Sequence, residues 1–351
     1  MDYLFIDQFD LLSQAASEWN QLKEIAIDIE CENNLHHFGA YISLIQLSSR
    51  TKNWVIDALL IKDLSPFVKL LENKNIQKVI HDVSFDLRIL NKISKTVNIY
   101  DTQLAALFLG KENLGLKSLL EDYFSIHKQK KFQRVDWTKR PLSKEMLAYA
   151  VMDSAYLLQL KDKLNNELKV LGRLSWVEEE CSLLEKMDYT YHEQTYLDVT
   201  GAKSLLPKKL GRFKILFEER QRLAKLMDKP PFMIMRNSLL LEFAKKSPDW
   251  KHVRGVHPII REQAKNISEL LASAKEEVII RNIAKRFSLD QQNKVKQLTE
   301  LRMKESEKIS IKPYLLLSQD EIKDIVLTKK INSLNQWQKE LLGSKVEKII
   351  N

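Results

Sequence analysis

Apolar residues recur along this chain with two different periods, and the change between them divides it. Through about residue 200, short strand-like runs are interleaved with stretches of 3.6-residue periodicity. "DYLFID" and "EIAIDIE" read as strands, with an amphipathic stretch from Phe9 to Trp19 between them. "YISLIQLSS" and "NWVIDAL" follow closely, as hairpin partners would. "DLSPFVKLLENKN" is helical, and "QKVIHD" is a short strand leading into the helix "VSFDLRILNKI". "VNIY" is another strand, after which Asp101 stands at the N-cap of the helix begun by "DTQLAALFL". "GLKSLLEDYF" and "SKEMLAYAVMDSAYLLQLKDKLNNEL" are helical at 3.6 spacing. The interleaving predicts a mixed α/β domain around a central sheet.

From about Lys208 onward only amphipathic helices are predicted, broken at "DKPPF", "KSPDW", "GVHP" and "IKPY". Each break carries proline, which ends helices and forces turns. "TGAKSLLPKKLGR", Thr200 to Arg212, reads as a linker or hinge, and a second seam is expected near Asp290 to Lys294. The expected division is therefore 1–200, 208–288 and 289–351. A length of 351 residues suits two or three domains.

Composition narrows the setting. No apolar stretch is long enough to span a membrane, and the N-terminus lacks a basic segment followed by an apolar core. The two cysteines, Cys31 and Cys181, give no disulfide framework and too few thiols for a structural zinc site. A soluble, cytoplasmic protein is expected. The formal charge of +9 is unevenly spread. Residues 1–200 hold 24 Lys and Arg against 29 Asp and Glu, a net of −5; the remainder holds 32 against 18, a net of +14. The basic back half suits a polyanion such as nucleic acid, or is a solvated lysine-rich surface.

The candidate chemistry lies in the acidic half. Asp28 and Glu30 are separated by one residue on a predicted strand, so both carboxylates point the same way. Such close like charges repel unless something positive sits between them. Asp86 stands on a helix just past a strand end, where sites gather in open α/β sheets. Tyr149 and Asp153 are four apart on one helical face, among apolar neighbours that make an acid costly to bury unless it is paired or binds a metal. Four hard oxygen donors with no His or Cys favour Mg²⁺ or Mn²⁺ over Zn²⁺. Four carboxylates suit a pair of ions roughly 3.5–4 Å apart, clamping an in-line phosphoryl displacement.

The ordered set, D-x-E on a strand, then Asp after a strand, then Y-x-x-x-D on a helix, resembles the tyrosine-bearing branch of the DEDD exonuclease superfamily. "SLIQLSS", "DTQLAALFLG", "GLKSLLEDYF" and "VDWTKRPLSKEMLAYAVMDSAYLL" resemble the ribonuclease D family. "FEERQRLAKLMDKPPFMIMRNSLLLEFAKKSPDWKHVRGVHP" resembles an HRDC domain, and "KPYLLLSQDEIKDIV" with Trp337 resembles the second such module of that family. The resemblance implies a ribonuclease H-like α/β exonuclease domain followed by all-α HRDC-type modules. It implies metal-dependent 3′→5′ hydrolysis of RNA to nucleoside 5′-monophosphates, with tRNA precursors as substrate, no small-molecule cofactor and a monomeric enzyme. Asp28, Glu30, Asp86 and Asp153 would hold two divalent ions, Asp28 touching both, and Tyr149 would orient or help deprotonate the attacking water.

Two positions depart from the family pattern: Ile29 stands where Thr is usual, and Phe85 where an acid is frequent. Secondary candidates for substrate contact are His36, His37 and Phe38 after the first motif, His81 near the second, and Trp137 and Arg140 in "DWTKRPL". Each has a structural alternative: loop, satisfied histidine or packing anchor. Lys208 with Lys209, Lys245 with Lys246, and Lys285 with Arg286 would track an RNA backbone. Two rival functions stay open at this point, a DNA-directed exonuclease with the same chemistry and a non-catalytic nucleic-acid-binding protein on the same scaffold. All five central candidates precede Thr200, so the front half is expected to keep its chemistry alone.

Overall fold

Strand β2 (Glu24–Asn33) is the element around which the first half is arranged. The computed structural model describes residues 2–127, 131–279 and 287–351. The other strands are β1 (Leu4–Ile6), β3 (Ala40–Ser48), β4 (Asn53–Asp57), β5 (Gln77–Ile80) and β6 (Ile99–Asp101). They form one mixed sheet in the order β1-β4-β3-β2-β5-β6. The β3–β4 hairpin expected from sequence is present, and β2 pairs antiparallel with β3 and parallel with β5. Alternation along β2 sorts its side chains. Ile25, Ile27 and Ile29 join one apolar cluster with Trp19, Phe67 and Leu87. Ala26 faces the opposite cluster, so Asp28 and Glu30 belong to that second face.

The helices of this half are α1 (Phe9–Trp19), α2 (Ser65–Glu72), α3 (Val83–Leu90), α4 (Thr102–Phe108), α5 (Leu116–Phe124), α6 (Lys144–Ala155), α7 (Leu157–Val170) and α8 (Leu174–Leu184). Helix α6 starts on Ser143, whose hydroxyl accepts from the Met146 N–H at 3.1 Å, and it lies against β2, β3 and β4. The stretch read as helical throughout is broken at Tyr156, with φ −109° and ψ 0°. Just before the break the Ser154 hydroxyl bonds back to the Val151 carbonyl and meets the Ser48 hydroxyl of β3 at 2.7 Å. Such back-bonding bends helices, and here it ties the bend to the sheet.

The back half is helical, as its pattern predicts, and both stretches expected as seams carry structure of their own. Val199 and Ala202, in the presumed hinge, are buried in the core of the first helical unit with Phe213, Leu240 and Trp250. Asp290 to Lys294 lie inside a helix, Leu289–Ile309, opened by a Ser288/Gln291 capping box. Three of the proline breaks mark helix starts: Pro231, Pro258 and Pro313 each occupy a first turn, where the missing N–H costs nothing.

The last helices do not form a separate core. Leu298, Ile311, Leu316, Trp337, Leu342 and Val346 share one cluster with Phe108, Leu160 and Val177 of the α/β half. Trp337 stacks on Trp176 with ring centroids 4.8 Å apart and meets the Phe108 ring edge-on at 5.4 Å. Its indole N–H donates to Glu180 at 2.7 Å, and Glu179 accepts from the N–H groups of Gln336 and Trp337 that open the final helix, Gln336–Ile350. At Gly110, with φ +77°, an added Cβ would lie 2.1 Å from the Ser310 carbonyl oxygen, so only glycine lets these two turns approach. The expectation that the front half keeps its chemistry alone meets this packing: a cut after Thr200 would bare the aromatic cluster. Trp337→Ala is expected to cost about 3–5 kcal/mol, as large aromatic truncations in cores do. A urea melt checks this, and a midpoint unchanged from wild type would show the contact to be peripheral.

Candidate active site

Asp28 and Glu30 come from β2 and Asp153 from α6, and their carboxylate oxygens lie within 4.8 Å of one another. They open into a pocket of about 450 Å³ that is also lined by Tyr149, Lys117 and Gln133. Asp86, in the first turn of α3, is outside that tight trio but within its field. Burial, then the charges of Asp82, Asp101 and Asp153, push the Asp86 carboxyl well above its usual range. Burial followed by the charges of Asp86, Glu30, Glu32 and Asp28 likewise pushes the Cys31 thiol up to about 12, so that cysteine is no nucleophile. Carboxylates this close are held against strong repulsion, and hard oxygen donors in this number fit a divalent cation.

The ring of Tyr149 is packed between Trp137, stacked at 6.3 Å, and Phe132, edge-on at 5.4 Å. Burial, with the charges of Asp153, Glu30 and Asp28 behind it, raises the phenol above its ordinary pKa. The shift favours the protonated hydroxyl at neutral pH.

Asp101 does more than its predicted capping. Its carboxylate accepts from the N–H groups of Gln103 and Leu104 on α4 and also from those of Asp82 and Val83 at the start of α3. It therefore fixes the helix that carries Asp86, with Asp82 held at a left-handed φ of 58°. No local pattern signals this second role, because the two helix starts are 19 residues apart. Lys117 and Gln133 were also missed, since nothing in their local spacing marks them.

None of the six secondary candidates lines the pocket of the acids. His81 is a structural residue: its Nδ1 lies 2.9 Å from the Thr102 hydroxyl and its other ring nitrogen is buried. Burial pushes its imidazole down to about 4, against opposing effects of Asp82 and the Leu114 backbone. The unfolded chain protonates first as pH falls, so this contribution is complete above about 6.5 and is lost towards about 4. Between pH 7 and 5 the wild-type urea midpoint is expected to fall further than that of His81→Gln; equal falls would contradict a buried neutral ring. Arg140 is likewise structural, binding buried Asp57 through Nε at 2.5 Å and Nη2 at 2.8 Å, and also the Ser43 and Trp137 carbonyls. Trp137 is buried against Tyr149, a packing anchor. His36 and His37 turn to carboxylates, and Phe38 faces a separate cleft of about 780 Å³ shared with Phe232 and Lys92. Lys285 and Arg286 lie outside the described residues.

Comparison with known proteins gives this geometry a family. A 3′-5′ exonuclease family model matches residues 3–169, and an HRDC domain model matches residues 209–271. Ribonuclease D of Desulfotalea psychrophila is 30% identical over 322 residues, 86% of each chain. Ribonuclease D of Serratia proteamaculans is 30% identical over 287 residues, 79% of this chain and 76% of that one. The crystal structure of Escherichia coli RNase D, described as an exoribonuclease involved in structured RNA processing, superposes with a TM-score of 0.74 at 24% identity, over 100% of this chain and 99% of that one. Among the described residues, no helix is long and apolar enough to cross a membrane. With the carboxylate trio on the expected strand and helix, and both domain types in order, the chain belongs to the ribonuclease D family of 3′→5′ exoribonucleases.

Proposed function

We propose that this exoribonuclease trims the 3′ ends of structured RNA, tRNA precursors foremost, as a cytoplasmic monomer using two Mg²⁺ or Mn²⁺ ions. The observation that carries the reading is the convergence of Asp28, Glu30 and Asp153 within 4.8 Å, with Tyr149 lining the same pocket. Asp28, Glu30 and Asp153 hold the ions, with Asp86 completing the set. When bound, such ions polarise the phosphate and lower the pKa of the attacking water. The chain's own part is positional. Tyr149, its ring clamped by Trp137 and Phe132, keeps its hydroxyl beside the acids and orients the water or helps to deprotonate it. Lys117 and Gln133 on the pocket wall are candidate contacts for the terminal nucleotide, and Phe38 for the strand behind it. The proposed units are 1–200, 208–288 and 289–351, the last sharing its core with the α/β half and the segment from Val199 packed onto the first helical unit.

The helical modules supply the grip on phosphates in this proposal. Lys208, Lys245 and Lys246 are exposed, whereas the Lys209 ammonium is tied to the Lys245 carbonyl. Each neutralised phosphate adds roughly −0.7 to the slope of log K against log salt for a single strand. Replacing those three exposed lysines with Gln in an inactive Asp28→Asn background is expected to flatten the slope by about two units. An unchanged slope would refute them as the RNA grip. Trimming assays on a 3′-extended tRNA, an unstructured RNA and a matched DNA test the substrate. Preference for the unstructured RNA or the DNA would overturn that part.

A further inference from the structure

We propose a second metal site, of the zinc type, formed by Glu32, His36 and Asp136, with His37 beside Asp136 and Asp228 bracing it from the first helical unit. It is separate from the hydrolytic acids: the pairing register of β2 shifts between Glu30 and Cys31, and Glu32 joins a different group. The ligand atoms of Glu32, His36 and Asp136 lie within 4.8 Å of one another. His37 Nε2 stands 3.3 Å from the same Asp136 carboxylate. One imidazole and two carboxylates suit Zn²⁺, at bonds of about 2.0–2.2 Å, with the fourth tetrahedral position left open and no cysteine needed.

Three features favour an ion there over a bare polar network. Glu32 is only 3% exposed, and its Oε2 is 3.6 Å from His36 Nδ1, too far for a good hydrogen bond. Its other oxygen accepts only the Leu35 and His36 backbone N–H groups. Three acids, Glu32, Asp136 and Asp228, gather around two imidazoles; Lys139 is exposed and 4.0 Å from Asp136, and Lys229 adds a positive charge beside Asp228. Burial and then the charges of Glu32, Asp228 and Asp136 push the nearby Tyr41 phenol up to about 12, a sign of the same negative field. Finally, the ligand Asp136 already has an outer partner: His37 lies with Nε2 3.3 Å from Asp136 and Nδ1 2.7 Å from Asp228 Oδ2. Outer-shell hydrogen bonds fix ligand orientation in this way.

The consequence is mechanical. Asp228 also accepts the Phe38 N–H at 3.2 Å, so an ion in this site would lock the loop after β2 to the first helical unit. The test is equilibrium dialysis of the full chain against Zn²⁺, after EDTA stripping, in an Asp28→Asn/Asp153→Asn background that disables the hydrolytic acids. His36→Ala and, separately, Asp136→Asn should each lower the bound zinc by one ion per chain. Asp228→Ala should weaken that ion's affinity 10–100-fold, as loss of an outer-shell partner does. Zinc should raise the thermal midpoint of the parent but not of the His36→Ala chain. Should His36→Ala fail to fold in EDTA, Co²⁺ bound to the parent gives an independent reading. Strong tetrahedral visible bands support the site, and only a weak octahedral spectrum overturns it. Absence of zinc binding in the parent, or binding unaffected by both His36→Ala and Asp136→Asn, would also overturn it.

Discussion

An Asp28→Asn chain is expected to lose at least about 10³-fold in kcat/KM on RNA while its urea midpoint stays close to wild type. Asp28 belongs to the trio whose oxygens converge within 4.8 Å, so it is central to any ion held there. The amide keeps the shape and removes the charge. Metal assistance is worth several kcal/mol of charge stabilisation, and each 1.36 kcal/mol is tenfold in rate, which sets the minimum loss. Stability should not suffer, because the native carboxylates repel one another and removing one relieves that repulsion. Activity within tenfold of wild type would mean that the acids are not the metal-holding centre.

Tyr149→Phe is expected to lower kcat by about 10²–10⁴-fold with little change in KM. The ring is held by Trp137 and Phe132, and phenylalanine keeps both contacts, so the loss isolates the hydroxyl. In the proposed function that hydroxyl orients the nucleophile or helps to deprotonate it, and burial beside Asp153 raises its pKa. Single-turnover kinetics at saturating RNA separates the step from binding. A rate within about threefold of wild type, far below that range, would reduce Tyr149 to a packing residue.

The first motif was legible because it is local. Ile25, Ile27 and Ile29 alternate with Ala26, Asp28 and Glu30, and two-residue periodicity alone puts the acids side by side. That Asp153 would meet them was legible only through the ordered set of motifs, since nothing in α6 itself points to a strand more than 120 residues earlier. For the polar residues near the motifs, sequence left two readings open for a related reason. Arg140 and His81 look like substrate contacts until Asp57 and Thr102 are seen to claim them, and such partners are chosen by tertiary structure. The helical modules show the same limit. Amphipathic faces were readable, but not that Trp337 would bury itself against Phe108 and Trp176 of the α/β half. Proline gave breaks without their sense, so helix starts such as Pro231 and Pro313 were taken only as interruptions.

In the proposed mechanism, the acid cluster performs metal-dependent hydrolysis from the 3′ end. Incubation of a 5′-labelled RNA with the full chain and Mg²⁺ tests it most directly, with parallel reactions in Mn²⁺, in EDTA and with Asp28→Asn. The expected result is a descending ladder of products shortened one nucleotide at a time, with nucleoside 5′-monophosphate released, abolished by EDTA and by Asp28→Asn. A ladder that persists in EDTA or with Asp28→Asn, or internal cuts in place of a ladder, would contradict it.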